Sequence, residues 1–282
     1  MSGRLFVVGL GFSGLEIARL AAARGWSVAG SVTTAEKATE LARGGIAAEI
    51  LSPTSAVLRA ATHILVTVPP DASGDPTLAT VRQVRPAWLG YLSTTGVYGD
   101  RGGGWVDETA EPNPGQARSR HRLRAERAWQ ALGKELGVPV HIFRLPAIYG
   151  PGRSAFDQVL EGRAQCIDKP GQVFCRVHVE DIAQAVLAAM NKQAGAIYNV
   201  CDDEPCAQVE VISFACKLLG RPAPRLVPWE EAAPNMSEMA RSFYAENRRV
   251  RNDRLKRELG VVLKYPTYRE GLTAIAAQRN PK

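Results

Sequence analysis

Long apolar runs are missing from this chain. No stretch reaches the ~18 unbroken apolar residues of a membrane span, so no membrane segment is expected. Cysteine is scarce, with five in 282 residues. Cys166, Cys175, Cys201, Cys206 and Cys216 form no CxxC pair and are odd in number, which excludes a disulfide scaffold. Metal-ligand spacing is absent from His63, His121, His141 and His178, and Cys201-x4-Cys206 lacks partners, so no metal site is expected. No Ser-His-Asp constellation or nucleophile elbow occurs. The apolar start is interrupted by Gly9, Gly11, Gly14, Glu16 and Arg19 and reads as no signal peptide. A soluble, reduced, cytoplasmic protein is the expectation.

What is present is an ordinary globular composition, 45% apolar, with 35 basic against 28 acidic residues and a net charge of +7. That excess suits a phosphate-bearing ligand or a high-pI cytosolic enzyme. The clusters Arg118–Arg127 and Arg248–Arg257 fit exposed helix faces carrying Glu126 and Glu258. They lack aromatic interleaving, so no nucleic-acid partner is expected.

Strand-like and helix-like segments alternate through the first half. Leu5–Val8 ends in Gly9, and Leu15–Arg24 repeats apolar residues at helical spacing before Gly25. Ser27–Val32 reads as the second strand. Thr33 then caps a helix that ends at Gly44-Gly45. Ile64–Val68, Trp88–Thr94 and Val140–Leu145 read as buried strands, with a helix over Arg118–Leu136. This order predicts an α/β fold with a doubly wound parallel (Rossmann) sheet. Residues 1–150 would form the dinucleotide-binding domain. Residues 151–282, richer in Gly and Pro, would form a smaller substrate-binding lobe of short, interrupted segments. Within it, about 177–200 would return to the core through the helix Glu180–Met190 and the strand Ala196–Val200.

Gly9-Leu10-Gly11-Phe12-Ser13-Gly14 is a G-x-G-x-x-G sequence placed between a predicted strand and a predicted helix. Gly9 permits a tight turn, Gly11 admits a pyrophosphate to the backbone, and Gly14 lets helix pack on strand. Free N–H groups at the helix start, around Phe12 and Ser13, would hold phosphate. The end of the second strand chooses between cofactors, because an acid there bonds the ribose 2′-hydroxyl of NAD. Ala29-Gly30-Ser31-Val32-Thr33 offers none before Glu36. NADP is therefore expected, its extra phosphate near Thr33 and Thr34 with Lys37 close by; NAD is the alternative.

The glycine motif, Ser93-Thr94-Thr95-Gly96-Val97-Tyr98-Gly99, Arg144-Leu145-Pro146-Ala147-Ile148-Tyr149-Gly150-Pro151-Gly152, Val177-His178-Val179-Glu180-Asp181 and Tyr265–Leu272 occur in a recognisable order. Together they resemble an extended short-chain dehydrogenase/reductase of the NAD-dependent epimerase/dehydratase group. The resemblance implies that Thr94 hydrogen-bonds a reacting hydroxyl or carbonyl, that Pro146 lies beside the nicotinamide, and that His178 and Asp181 are architectural. It also exposes a departure. The family's Tyr-x-x-x-Lys pair falls at Arg118 and Arg122, and no tyrosine lies between Tyr98 and Tyr149. Arginine stays protonated at any working pH, so Arg118 cannot act as a phenol acting as proton acceptor would. Arg118 could bind phosphate or carboxylate, and Arg122 the nicotinamide ribose. Candidate substitutes in proton transfer are His121 and Tyr98, with Tyr149 near the cleft. Phe174 occupies the place of an arginine common in nucleotide-sugar enzymes, with Arg176 two residues before His178.

Two readings follow from the sequence. One is an NAD(P)-linked oxidoreductase or epimerase, atypical of its family, acting on a small hydroxyl, carbonyl or sugar-like substrate. The other is a catalytically silent NAD(P)-binding sensor or regulator. Five arginines on the helix that family members use for pairing leave monomer and homodimer both open.

Overall fold

Seven parallel strands form the central sheet: β1 (Arg4–Val8), β2 (Ser27–Val32), β3 (Ala47–Ile50), β4 (His63–Val66), β5 (Trp88–Thr94), β6 (Val140–Leu145) and β7 (Ala196–Asn199). This is a computed structural model, and it describes residues 3–279. The strand order is β7-β6-β5-β4-β1-β2-β3. Leu5–Val8 and all six residues of β6 are buried, as strands covered on both faces must be. The order reverses between β1 and β4, which opens a crevice at their carboxyl ends.

One face carries α1 (Phe12–Ala23), α2 (Ala35–Arg43) and α4 (Val179–Ala189); the other carries α3 (Ala117–Leu136). Small residues let α1 and α4 approach closely, and Ile17, Ala18 and Ala21 share a core with Ile182, Ala183 and Val186. Trp129, Leu132 and Ala125 of α3 pack on Tyr91 and Ile142 across the sheet. Burying one such aliphatic or aromatic side chain is worth roughly 1.5–3 kcal/mol, so these two layers fix the sheet between them.

A separate core joins α5 (Gln208–Leu218) and α7 (Tyr268–Arg279) through Val211, Ile212, Ala215, Tyr268, Leu272 and Ile275. These are regular helices, where the sequence suggested interrupted segments. Gly271 is required there, since a Cβ would lie 2.1 Å from the Tyr149 hydroxyl. Leu255 of α6 (Asp253–Leu259), with Val261 and Leu263, joins the α1/α4 core. More of the second half thus returns to the first than residues 177–200.

Two local expectations change. Thr34, and not Thr33, caps α2, its hydroxyl accepting from the Lys37 N–H at 3.3 Å. β3 was not foreseen, because Ala-Ala-Glu-Ile is short and only part-buried, an edge strand without a clear apolar alternation. His178 is 1% exposed and caps α4, accepting from the Glu180 N–H. The Asp181 carboxylate accepts from the Lys264 and Tyr265 N–H groups at 2.7 and 3.0 Å, tying the segment before α7 to α4. Burial leaves the His178 imidazole with its pKa lowered to about 4.

Candidate functional site

The crevice begins at the glycine loop. Gly9 has φ +98°, a conformation open to glycine and strained for other residues. Its N–H donates to the Ser31 hydroxyl at 3.0 Å, and its carbonyl accepts from the Thr67 hydroxyl at 2.6 Å. The loop is therefore held by the ends of β2 and β4 together. A Cβ on Gly14 would stand 2.3 Å from the Gly9 carbonyl oxygen, whereas one on Gly11 would meet nothing within 4 Å. Gly14 serves close packing, and Gly11 faces open space.

Helix α1 starts beyond Gly11 with no side-chain cap and no acid in its first turn. The first intrahelical bond is from the Leu15 N–H to the Gly11 carbonyl, so the N–H groups of Phe12, Ser13 and Gly14 have no intrahelical partner. Uncapped donors at the positive end of a helix, reached over an open glycine, fit a dinucleotide pyrophosphate. At the end of β2, Ser31 is buried against the loop while Thr33 and Thr34 are exposed. The first acid, Glu36, is fully exposed, with its pKa held down chiefly by its own backbone N–H and also by Thr34. Lys37 is paired with Glu40 at 2.9 Å, so it is already part-neutralised.

A cleft of about 470 Å³ runs along the carboxyl ends of β5 and β6, and Arg153 in its lining reaches the Phe12 ring of the glycine loop. Thr94 closes β5, and its Oγ1 accepts from the Gly96 N–H at 3.0 Å, capping one 3₁₀ turn over Thr95–Tyr98. A Cβ on Gly96 would lie 2.6 Å from the Ser119 Oγ and 3.3 Å from the Thr94 Oγ1. The Thr94 and Ser119 hydroxyls therefore both press close to Gly96, where a side chain would displace Ser119, and both residues line the cleft. Pro146 and Arg122 line the same cleft. Arg122 Nη1 donates to the Leu92 carbonyl at 2.7 Å and to the Tyr91 hydroxyl at 3.3 Å, which fixes its guanidinium at the floor.

The opposite wall comes from the second half of the chain: Phe174, Phe243, Glu246 and Arg248. Arg118 stacks over the Phe243 ring, 4.4 Å from its centroid, and Gln116 donates to the Ser242 carbonyl. Glu246 is paired with Arg248 at 2.7 Å, and Arg248 also donates to the Gly99 carbonyl. Among the described residues Arg118, Arg122 and Arg153 line the cleft with no ion-pair partner. The cleft is electropositive.

Thr94, Arg122 and Pro146 are thus brought together in the cleft. Tyr98 is not: it is fully buried, and its hydroxyl donates to Asn199 Oδ1 at 2.8 Å. Its ring lies under the Arg144 guanidinium, and burial pushes its pKa up to about 12. The reason is a buried network in which Arg144 bonds Glu126 at 3.1 and 2.7 Å and Glu126 also accepts from the Ser93 hydroxyl. Tyr98 serves that network, which corrects its sequence-based placement in proton transfer. His121 is likewise absent from the cleft lining and sits close enough to Asp71 to favour that carboxylate. Tyr149 is directed to the second core, its hydroxyl donating to the Thr267 carbonyl. Arg176 is buried, donating to the Phe174 carbonyl and Gln208, away from the cleft.

Ser119, Arg153, Phe243 and Glu246 were missed. Ser119 follows Arg118 at the start of α3 and had a readable signal, its place in the helix that carries the family pair. Phe243 and Glu246 reach the cleft only through the fold of the second half.

A doubly wound parallel sheet with an uncapped, glycine-preceded helix at its switch point defines a Rossmann-type fold. The family model described as the NAD dependent epimerase/dehydratase family matches residues 77–201, and the chain is similar to that family over those residues. The solved structure of a conserved protein of unknown function from Silicibacter pomeroyi DSS is 45% identical, with a TM-score of 0.90, covering 98% of this chain and 99% of that one. Protein YeeZ of Escherichia coli strain K12 is 29% identical over 242 residues, 79% of this chain and 86% of its own. A Streptomyces protein named 3-diazoavenalumate denitrifying reductase is 28% identical over 167 residues, 57% of this chain and 54% of its own. No helix among the described residues is long and apolar enough to cross a membrane.

Proposed function

We propose that this protein is an NADP-linked oxidoreductase or epimerase, atypical within its family, that acts on a small hydroxyl, carbonyl or sugar-like substrate. One observation carries the reading: the Thr94 and Ser119 hydroxyls stand together at Gly96 in the cleft that Pro146 lines, and Arg153 of the same cleft reaches Phe12 of the glycine loop. The dinucleotide supplies hydride exchange when bound. The two hydroxyls would then hold the substrate oxygen by hydrogen bonds, and Arg122, fixed on Leu92 and Tyr91, would hold the nicotinamide ribose. Arg118, standing at the family's tyrosine position, would bind an anionic group of the substrate, since a guanidinium donates hydrogen bonds and does not exchange protons. The reductase name of the Streptomyces relative agrees with hydride transfer. NADP is favoured because a carboxylate at the end of β2 would repel the 2′-phosphate, and none stands there before Glu36.

The test is substrate-dependent oxidation of NADPH across a panel of small carbonyl compounds, with and without an anionic group. Turnover that falls about 10²-fold or more in Thr94→Val supports the reading. Turnover unchanged by that substitution contradicts it.

A second reading is a dinucleotide-binding sensor without turnover. It is favoured by the ionisable groups that line the cleft beside the arginines, which among the described residues are Glu246, already paired with Arg248, and Cys175. Burial pushes the Cys175 thiol up to about 11. Tight NADPH binding without any substrate-dependent oxidation would favour this reading over the first.

A further inference from the structure

Arg153 stands at the glycine-loop end of the cleft, and its surroundings are built to present it. The turn Gly150–Arg153 closes on two backbone bonds of 3.0 Å, with Gly152 at φ +76°. Gly150 lets this turn press on the first helix, since a Cβ there would lie 2.7 Å from Val179 Cγ1 and 3.2 Å from Phe12 Cζ. The Arg153 guanidinium comes to rest 5.4 Å from the centroid of the Phe12 ring. Phe12 is the first residue of α1, whose leading N–H groups are uncapped.

This placement is electrostatically unfavourable without an anion. A cation beside a helix N-terminus meets the positive end of the helix dipole, where an acid or a phosphate is normally found. The nearest acid along the chain, Asp157, is taken by Ser154 and Arg279. Among the described residues no carboxylate pairs with Arg153. Of the other cleft arginines, Arg122 donates to the Leu92 carbonyl and Arg248 pairs with Glu246, while Arg118, stacked on Phe243, faces the far wall.

We infer that Arg153 closes over the dinucleotide pyrophosphate from the side opposite α1, so that the diphosphate lies between a guanidinium and the free N–H groups of Phe12, Ser13 and Gly14. This rests on the dinucleotide reading of the cleft and names a residue of the second half of the chain as part of cofactor binding. A planar guanidinium matches a phosphate with two parallel hydrogen bonds, which a lysine cannot reproduce.

Direct binding separates the possibilities. NADPH, NADH and ADP-ribose would be titrated by calorimetry against the wild-type protein, Arg153→Gln and Arg153→Lys. Arg153 is exposed, and unliganded unfolding midpoints within error of wild type would show that the variants fold. Arg153→Gln is expected to weaken all three ligands by similar factors of about tenfold or more, with Arg153→Lys intermediate. Binding of all three within about twofold of wild type would overturn the inference and leave the cofactor reading intact. Loss confined to NADPH would also overturn it, assigning Arg153 to the 2′-phosphate. A wild-type protein that binds none of the three would refute the cofactor reading and this inference with it.

Discussion

Replacing Glu126 with leucine should destabilise the fold by about 3–5 kcal/mol, because it leaves the Arg144 charge buried and unpaired. The two side chains are only 2% and 3% exposed, and their bonds of 3.1 and 2.7 Å account for both oxygens of the carboxylate. Ser93 would lose its acceptor as well, adding about 1 kcal/mol. For a chain of this size each kcal/mol moves the thermal midpoint by roughly 2 °C, so the expected fall is about 8–12 °C. Arg144→Met alone should cost a similar amount, since it strands the carboxylate. The double variant Glu126→Leu/Arg144→Met removes both charges and should be more stable than either single variant. Thermal and urea unfolding of the four proteins gives the coupling directly. A Glu126→Leu loss below ~1 kcal/mol, or a double variant as unstable as the two singles added, would refute the reasoning.

Other outcomes follow from the same geometry. Burial lowers the pKa values of His141 and His178 from about 6.5 to about 4. Both then favour the folded state above pH 6.5, and that stability is lost as pH falls from about 6.5 towards 4, at most about 3 kcal/mol each. Unfolding midpoints measured from pH 7 to 4 should show this slope reduced in His141→Phe. Asp202 has the opposite sign: burial raises its pKa to about 8, so the folded carboxyl keeps its proton and stability falls as pH rises from about 3.8 to 8. Asp202→Asn should therefore gain stability relative to wild type between pH 4 and pH 8, and a constant difference across that range would contradict the burial argument. Gly96→Ala should reduce any turnover by pushing the Ser119 hydroxyl away, and Gly96→Ala/Ser119→Ala should fold as well as wild type because the clash at 2.6 Å is gone. An unfolding midpoint for the double variant as low as that of the single would count against it.

The sheet was legible because parallel central strands are apolar on both faces. The boundaries Ser27–Val32, Trp88–Thr94 and Val140–Leu145 follow from their apolar runs and flanking breakers. β3 was not legible, because an edge strand tolerates Ala-Ala-Glu-Ile, half exposed, as well as any loop does. In the site, the glycine loop could be read since each glycine answers a local steric demand. Tyr98 could not be placed correctly, because its neighbours Arg144, Glu126 and Asn199 lie on other strands and helices, and only their assembly turns the hydroxyl inward. Arg153 and Phe243 were invisible for a similar reason, each reaching the cleft through packing between the two halves of the chain.

The central claim is that the Gly9–Gly14 loop holds a nicotinamide dinucleotide. Its most direct test is thermal unfolding of wild type and Gly11→Ala with NADPH, NADH or neither. A ligand at ~100 times its dissociation constant adds about 2.7 kcal/mol, enough to raise the midpoint by about 5 °C. The account predicts that rise for wild type, larger with NADPH. Gly11→Ala should keep the unliganded midpoint, since its Cβ meets nothing within 4 Å, and should lose the rise because that Cβ occupies the open face of the loop. A wild-type midpoint unmoved by either nucleotide, or an equal rise in Gly11→Ala, would contradict the account.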